Sequence, residues 1–374
     1  MLGLTIGMLV PTALMLLLVI STVRCLPRVQ PAQEARPGAA SVLIPARNEV
    51  DRLPACLDSL LLQDETVLEV LVYDDHSTDG TADLVRQYGQ RDARIQLLAP
   101  VALPEGWCGK TFACAHLAGH ARGEWLLFLD ADTRLAPGGV AGIIAAAEEH
   151  RVTFLSPWPA FLVNTFWEKA LLPMLSFVAF SLFPVRVSLE YQHASLGLAH
   201  GACILAHRET YRNVDGHQAV RGEICEDVCL ARVWRARGHR GLCLDGQDVV
   251  AVRMYRSLRE IWLGFQKNSY PAFRHWWSFW LFMAFHVWCF VLPFIFAPVV
   301  VTGRMTALPA LLAVACILIL RALLAIRFRV PLWSALAHPL AELMFVGVGV
   351  SSWWHWTRGK GVTWKGRAYS GRVP

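Results

Sequence analysis

The 374-residue sequence is poor in charge, since Asp, Glu, Lys and Arg make up 17% of it whereas hydrophobic residues make up 55%. This balance is too apolar for an ordinary soluble enzyme and predicts a membrane-embedded protein. The formal net charge is +6, but the Lys and Arg residues flank apolar runs, as they do at cytoplasmic membrane faces. The composition therefore disfavours a protein that binds nucleic acid.

The sequence also lacks the paired C-x-x-C spacing of a zinc site. Its ten cysteines are scattered, and the closest repeats are Cys108/Cys114 and Cys225/Cys229. Reduced thiols packed in a cytosolic domain are the favoured interpretation. His193, His200 and His207 are seven residues apart, a spacing that matches no standard zinc site, so polar or interfacial histidines are favoured over metal ligands.

The first segment, Leu2 to Val23, carries no charge and is long enough to cross about 30 Å of hydrocarbon. A signal peptide is the alternative, but no basic residue precedes the apolar run and no clear small-residue cleavage site follows it. We predict a transmembrane anchor over 1–23 and a linker over 24–40. Arg24 and Arg28 follow the anchor, which places the next domain in the cytoplasm and the amino terminus outside.

Between Ser41 and Gly139, short runs of Val, Leu and Ile alternate with helical periods. Such strands are typical of a mainly parallel sheet covered by helices on both faces, and the predicted fold class is therefore α/β. Ligands of these sheets bind at the carboxyl edge of the strands. Polar residues follow three of the predicted strands: Arg47 and Glu49, then Asp74 and Asp75, then Asp130 and Asp132. Each alone could cap a helix or turn, as Ser77 or Asp79 could, but together they predict one site.

Apolar segments return after Arg274 and predict a helical transmembrane cluster over 274–356, followed by a basic tail over 357–374. The run 161–187 is interrupted by charged residues and prolines, and we predict that it lies on the membrane surface. Three spans after a cytoplasmic domain would leave the basic tail outside, against the positive-inside rule. One apolar segment is then re-entrant, and the segment with Pro339 and Glu342 is the candidate.

Four stretches resemble glycosyltransferase family 2: "VLIPARNE", "VLVYDDHSTDGT", "GWCGKTFACAHLAGHARGEWLLFLDADT" and "EICEDVCLARVWRARGHR". They occur in the family's order and cover about Ser41 to Gly246, more than half of the chain. The resemblance implies a GT-A (Rossmann-like) catalytic domain, here over 41–273. It also implies an inverting enzyme that uses a nucleotide-sugar donor.

Carried over residue by residue, the resemblance implies a nucleotide-sugar site and a metal ligand. Pro45, Arg47 and Glu49 would line the nucleotide pocket, and Asp75 with Asp74 would contact the base and ribose. Asp130 would contact the ribose or sugar, and Asp132 would hold Mg²⁺ or Mn²⁺ on the diphosphate. Such a cation takes one or two carboxylates and fills its other positions with water and substrate phosphates.

The remaining site residues come from the "GWCGK" and "GEICED" stretches. Lys110 follows two glycines and could reach the diphosphate or sugar, although a solvated surface lysine is the alternative. Glu226 and Asp227 begin a helical pattern, where acids are also a purely structural choice. The resemblance makes Asp227 the base that deprotonates the acceptor, and Glu226 would raise its pKa by like-charge repulsion.

Polymer-forming members of the family carry a Q-x-x-R-W motif, but here Gln266 is followed by Ser269 and Tyr270 in the Arg and Trp places. The "GWCGK" wording and the late spans resemble instead the membrane-bound branch of carotenoid glucosyltransferases, including the diaponeurosporenoate type, and the hopanoid-associated transferase. We predict transfer of one sugar, from UDP-glucose, to a hydroxyl or carboxyl of an isoprenoid-type membrane lipid. The alternatives are a polyprenyl-phosphate sugar transferase, a polysaccharide synthase and a non-catalytic membrane scaffold.

Overall fold

The computed structural model describes residues 1–33, 36–302, 305–359, 362–364 and 367–369. Contacts group the chain into two compact units. The helical unit comprises Met1–Leu26, Val163–Arg186 and Tyr255–Pro374, and the sheet unit comprises Pro27–Leu162 and Val187–Met254. These bounds differ from the predicted domain 41–273, because 163–186 and 255–273 make their contacts within the helical unit.

Strands and helices alternate along the sheet unit, and helices dominate the rest. The strands are β1 Ala40–Ala46, β2 Val67–Asp74, β3 Ile95–Leu98, β4 Trp125–Leu129, β5 Thr133–Leu135, β6 Phe154–Trp158, β7 Ala160–Phe161, β8 Cys203–His207, β9 Gly241–Asp245, β10 Val250–Val252, β11 Val362–Trp364 and β12 Arg367–Tyr369. The α-helices are α1 Leu2–Cys25, α2 Leu53–Leu61, α3 Thr81–Arg91, α4 Gly109–His120, α5 Gly139–Glu149, α6 Phe166–Leu171, α7 Pro173–Phe180, α8 Val185–Glu190, α9 Arg208–Asn213, α10 Glu226–Ala236, α11 Leu258–Ser269, α12 Trp276–His286, α13 Leu292–Phe296, α14 Leu308–Arg327 and α15 His338–Thr357. A π-helical segment, Val287–Val291, separates α12 from α13, and a 3₁₀ segment, Leu332–Ala335, precedes α15.

The sheet unit is built on a seven-stranded sheet with the order β3-β2-β1-β4-β8-β6-β9. Six of these strands are parallel, and β8 runs antiparallel to both of its neighbours. A smaller sheet has the order β5-β10-β7. The mainly parallel α/β fold predicted from the sequence is confirmed.

Helices cover both sides of the sheet because both faces of its central strands are apolar. In β1, Val42 and Ile44 pack into one buried cluster with α2 and α5, whereas Leu43 packs into the other with α4 and α10. Burying both faces makes a strand read as a continuous apolar run rather than an alternating one. The parallel strands β1, β2 and β4 are neighbours, so their carboxyl ends meet at one edge of the sheet.

In the described residues of the helical unit, three helical segments are long and apolar enough to cross a membrane: Leu2–Cys25, Trp276–Val299 and Leu308–Arg327. Helix α15, which contains Pro339 and Glu342, is not among them. Two candidate spans rather than three therefore follow the sheet unit. In the basic tail, Lys360, Lys365 and Arg372 lie outside the described residues.

The run 161–187 folds into short helices that its polar residues and prolines delimit. Thr165 caps α6 by accepting from the Glu168 backbone, and Pro173 begins α7. None of the candidate spans lies in this run. Its location on the membrane surface stays a prediction.

Candidate active site

The loops that follow β1 and β2 bring the first group of predicted residues together. Arg47 lies in the first loop and donates a hydrogen bond to the carbonyl of Asp75 in the second. Its guanidinium is also 3.7 Å from the Asp75 carboxylate. Asp74 ends β2, accepts a hydrogen bond from the Ser77 hydroxyl and lines a cavity of about 530 Å³ beside α3 and β3.

Side chains of the second loop hold the backbone of the first. The Asn48 amide donates to Ser77 Oγ at 2.8 Å, the Glu49 amide to Thr81 Oγ1 at 2.9 Å, and the Val50 amide to Asp79 Oδ2 at 3.1 Å. Asp79 also accepts from the Thr81 amide at the start of α3. These polar residues therefore fix the loops as well as the helix start, and the "DDHSTDGT" stretch is more than a cap.

Lys110 connects the second group of predicted residues. Its Nζ is 2.7 Å from Asp130 Oδ1 and 2.9 Å from Glu226 Oε1. Asp130 follows β4, and Glu226 begins α10 almost a hundred residues later. Burial disfavours the charge of Lys110, but Asp130 and Glu226 outweigh it and raise the pKa of the ammonium. Lys110 is therefore paired with two carboxylates, while 36% of its side chain stays exposed.

The "GWCGK" turn positions Lys110 through contacts with the loop before α10. The Cys108 amide and the Thr111 hydroxyl both donate to the carbonyl of Arg221 at 2.7 Å. Gly106 has φ +81°, a conformation that side chains other than glycine rarely adopt. Because this turn and the loop before α10 are joined, Lys110 and Glu226 are held at the same end of the sheet.

Asp132 lies one residue beyond Asp130, close to its negative charge. Burial, followed by repulsion from Asp130, raises its pKa from 3.8 to about 7, although Arg52 and Lys110 oppose the rise. Asp132 is therefore a carboxylate that loses solvation on folding and has a second carboxylate close by. A bound cation would relieve this condition.

Asp227 is the second residue of α10. Burial, followed by repulsion from Glu226, raises its pKa from 3.8 to about 6, whereas Lys110 and the backbone amides of Val228 and Gly201 lower it. The direction agrees with the sequence prediction, although burial is the larger cause. A Cβ placed on Gly201 would lie 3.1 Å from Lys110 Nζ and 3.3 Å from Asp227 Oδ2. The lack of a side chain at Gly201 therefore leaves room between this cation and this carboxylate.

Two neighbours of the site were not assigned from the sequence. Arg52 lies near enough to lower the pKa of Asp132, and the only sequence signal for it is its place three residues after Glu49. His200 packs against Trp158 and Phe161. Burial, followed by the charge of Lys110, lowers its pKa to about 3, so His200 is a neutral histidine beside the site.

No group of three or more His, Cys, Asp or Glu side chains within the described ranges is arranged to hold a metal ion. His193 instead pairs with Ser195, and His207 lies 3.7 Å from Glu124. The structure therefore brings the predicted residues to one sheet edge as two adjoining groups. Their individual roles stay predictions.

Residues 41–214 match the model of glycosyl transferase family 2. Over 352 residues the chain is 28% identical to 4,4'-diaponeurosporenoate glycosyltransferase of Staphylococcus aureus (strain MRSA252), covering 89% of this chain and 88% of the relative. Its fold is similar to that of the mannosyltransferase PcManGT from Pyrobaculum calidifontis, solved in complex with GDP-Man and Mn²⁺. The TM-score is 0.56 at 18% sequence identity, with 94% of this chain and 97% of that chain covered. The chain is therefore a glycosyltransferase with a GT-A fold, and its residues 41–214 resemble glycosyl transferase family 2.

Proposed function

We propose that the protein transfers one sugar from a nucleotide-sugar donor, UDP-glucose, to a hydroxyl or carboxyl group of an isoprenoid-type membrane lipid. The observation that carries this proposal is the Lys110 bridge between Asp130 and Glu226, which gathers the carboxylates of β4 and α10 around one cation. A donor diphosphate and an acceptor could meet where these carboxylates converge on Lys110. The similar protein from Staphylococcus aureus is named for glycosyl transfer to diaponeurosporenoate, and this name supports the same class of acceptor.

The loops after β1 and β2 would bind the nucleotide. Pro45, Arg47 and Glu49 would line its pocket, while Asp74 and Asp75 would contact the base and ribose. The hydrogen bonds between these loops support this role, because a pocket that is already ordered loses less conformational freedom on binding.

Asp132 is the residue that would hold Mg²⁺ or Mn²⁺, with the donor diphosphate and water completing the coordination. When bound, the cation would stabilise the negative charge of the diphosphate leaving group. The raised pKa of Asp132 supports the assignment, because a carboxylate crowded by Asp130 gains most from a nearby positive charge. Asp130 is already paired with Lys110 and would contact the ribose or sugar.

Asp227 would take the proton from a hydroxyl acceptor, which would attack the anomeric carbon and invert it. A pKa of about 6 leaves this carboxylate mostly ionised at neutral pH and still basic enough to accept a proton. Lys110, on the other side of Gly201, would stabilise the developing charge of the transferred groups. Glu226 would hold Lys110 in place.

The acceptor chain would lie on apolar side chains of the helical unit. A crevice there is lined by residues of α6, α7, α11 and α15, namely Leu171, Met174, Ile261, Trp262, Phe265, Ala341, Met344, Phe345 and Val348. It lies between the run 161–187 and the helix around Phe265, and its apolar lining would suit a lipid chain. Its own side chains almost fill it, so a lipid would enter by displacing them.

A single addition of sugar is supported by the contacts of Gln266, which matches the polymerase motif, and of Tyr270, which takes the place of its Trp. Gln266 donates to Ser351 Oγ at 2.6 Å, and its carbonyl accepts from Ser352 at 2.6 Å. The Tyr270 amide donates to the same Ser352 hydroxyl at 3.0 Å. These positions thus hold α11 on α15 within the helical unit.

The candidate spans and the positive-inside rule support one membrane topology. With α1 entering from outside and two spans after the sheet unit, the catalytic domain and the basic tail would both be cytoplasmic. In this proposed arrangement the enzyme would lie in the cell membrane and would have access to cytosolic nucleotide sugars.

To test the proposal, membranes containing the full chain are incubated with one labelled donor: UDP-[¹⁴C]glucose, GDP-[¹⁴C]mannose or UDP-[¹⁴C]GlcNAc. The acceptors offered are long-chain acids, long-chain alcohols or polyprenyl phosphates. We expect label from UDP-glucose in a single-sugar lipid, identified by mass spectrometry. A product that grows by repeated addition, or labelling of polyprenyl phosphate alone, would contradict the proposal. Comparison of lipid extracts from cells with and without the protein would then identify the natural acceptor.

A further inference from the structure

The helical unit contains a group of ionisable and polar side chains that the proposed reaction does not use. This buried polar cluster consists of His286, Arg321, Ser334, His338 and Glu342, and each member is at most 2% exposed. His286 and Arg321 belong to candidate membrane spans. Ionisable residues inside a membrane are costly and usually mark a functional site.

Some of the polar atoms in the cluster have protein partners. His286 Nδ1 is 2.7 Å from Glu342 Oε1. Arg321 donates to the carbonyl of Pro173 at 3.1 Å and to that of Ser334 at 3.2 Å, and its guanidinium carbon is 5.3 Å from the Phe177 ring centroid. These contacts hold the cluster in one geometry.

Six other polar atoms in the cluster are buried without a hydrogen-bond partner among the described residues. They are His286 Nε2, Arg321 Nε, Ser334 Oγ, His338 Nδ1, His338 Nε2 and Glu342 Oε2. Leaving one such group unsatisfied costs about 1–3 kcal/mol. Six of them in a small volume therefore point to a polar occupant.

The backbone around the cluster is irregular as well. The π-helical segment Val287–Val291 begins directly after His286, and Ser334 lies in a 3₁₀ segment. π-Helical turns occur frequently at functional sites. Irregular backbone at membrane depth is tolerated where it is buried in protein or lines a cavity.

The chemistry of the cluster selects the occupant. The charges of Arg321 and Glu342 balance, so a further ion would be buried without compensation. The unpartnered atoms include donors, such as Arg321 Nε–H, and acceptors, such as Glu342 Oε2. An uncharged hydroxyl both donates and accepts hydrogen bonds, so each one satisfies atoms of both kinds, up to three in all.

We propose that the buried polar cluster is a binding site for a neutral hydroxyl group within the membrane. The hydroxyl belongs either to ordered water or to a lipid alcohol whose apolar body rests on the surrounding rings. Phe177, Phe290 and Phe294 lie 5.1, 5.8 and 5.8 Å from the His338 ring centroid. They offer an apolar wall to any part of the occupant beyond its hydroxyl.

The sign of a stability change tests the proposal. The full chain is purified in nanodiscs of long-chain phosphatidylcholine, and the melting temperature of Ser334→Ala is compared with that of the wild type. If a hydroxyl occupies the site, Ser334→Ala loses a hydrogen bond and melts at a lower temperature. If the cluster is dry, the variant loses only an unsatisfied group, and an unchanged or higher melting temperature would overturn the proposal.

Two further measurements complete the design. His338→Leu is expected to lower the melting temperature more than Ser334→Ala, whereas Leu343→Ile, at a 57% exposed position of the same helix, serves as the unaffected control. Added 1-dodecanol is compared with dodecane to distinguish the sources. Stabilisation of the wild type, but not of Ser334→Ala, by the alcohol alone assigns a lipid alcohol. No effect of the alcohol, together with a destabilised Ser334→Ala, assigns water. Stabilisation of His338→Leu relative to the wild type would contradict either source.

Discussion

Replacing Asp132 with asparagine should stabilise the metal-free sheet unit. The pKa of Asp132 rises from 3.8 to about 7 in the folded protein, mainly through burial and secondly through Asp130. At about 1.4 kcal/mol for each tenfold change, this rise corresponds to at most about 4 kcal/mol. Asp132 keeps part of its surface in solvent, which screens the effect, so we expect a gain of about 1–2 kcal/mol.

The gain should depend on pH in a definite direction. Between about pH 4 and pH 7 the folded protein retains a proton on Asp132 that the unfolded chain has lost. Wild-type stability therefore falls as the pH rises through this window. The asparagine side chain of the variant cannot ionise, so the variant avoids this loss. The two proteins should have similar stabilities near pH 4 and differ fully above pH 7.

Thermal unfolding of the full chain in nanodiscs, followed by tryptophan fluorescence in the presence of EDTA, measures the difference. A gain of about 1–2 kcal/mol raises the melting temperature by about 3–6 °C for a unit of this size. Glu223→Gln, which replaces an exposed acid, is the matched control and should not change it. If Asp132→Asn melts below the wild type at pH 7.5, or if its advantage is the same at pH 4.5, the electrostatic account of Asp132 is wrong.

Three further predictions concern the catalytic carboxylate and its neighbours. Gly201→Ala would place a methyl group 3.1 Å from Lys110 Nζ and 3.3 Å from Asp227 Oδ2, so kcat/KM should fall about tenfold or more. Gly222→Ala, whose Cβ meets only an ordinary contact at 3.5 Å, is the control. Equal rates in both variants would refute the steric argument. Lys110→Gln removes a charge that lowers the pKa of Asp227, so the acidic limb of the pH profile of kcat/KM should move to higher pH. Lys110→Arg keeps the charge and should leave this limb in place. An unmoved limb in Lys110→Gln would show that another group titrates. Asp227→Asn should slow transfer to a hydroxyl acceptor by a factor of about 10²–10⁴. It should slow transfer to a carboxyl acceptor much less, because a carboxylate is already ionised. Equal losses of rate with a matched long-chain alcohol and acid would exclude the base role.

The sheet and its ligand-binding edge were predictable from the sequence for a specific physical reason. Strands buried on both faces, such as β1 and β4, read as uninterrupted apolar runs. Their abrupt change to polar residues marks the carboxyl edge. The pair Asp130 and Asp132 could therefore be predicted to lie at the same sheet edge as Asp75 from the sequence alone.

The bridge made by Lys110 could not be predicted in the same way. It depends on the contact of Cys108 and Thr111 with the carbonyl of Arg221, which joins segments more than a hundred residues apart. The place of the antiparallel strand β8 within the sheet could not be predicted either. Its pairing is decided by tertiary contacts rather than by its own residues. Periodicity reports which faces are apolar, but it does not report which segments meet.

Which segments of the chain belong to the helical unit could not be predicted from the sequence either. Helices α6 and α7 precede β8 in the chain, yet they belong to the helical unit. There Arg321 of α14 donates a hydrogen bond to the carbonyl of Pro173 in α7. An apolar run interrupted by prolines is equally compatible with a surface helix or a buried hairpin. Only the tertiary contacts distinguish these arrangements.

The central claim is that the carboxylates around Lys110 perform sugar transfer, and the activity of Asp132→Asn tests it most directly. The rate of [¹⁴C]glucose transfer from UDP-glucose into extractable lipid is measured for the wild type, Asp132→Asn and Glu223→Gln, with each protein shown to be folded by its melting temperature. Loss of a charge contact worth several kcal/mol predicts a rate at least about 100-fold lower in Asp132→Asn, with Glu223→Gln unchanged. A folded Asp132→Asn enzyme that transfers sugar within about twofold of the wild-type rate would contradict the account.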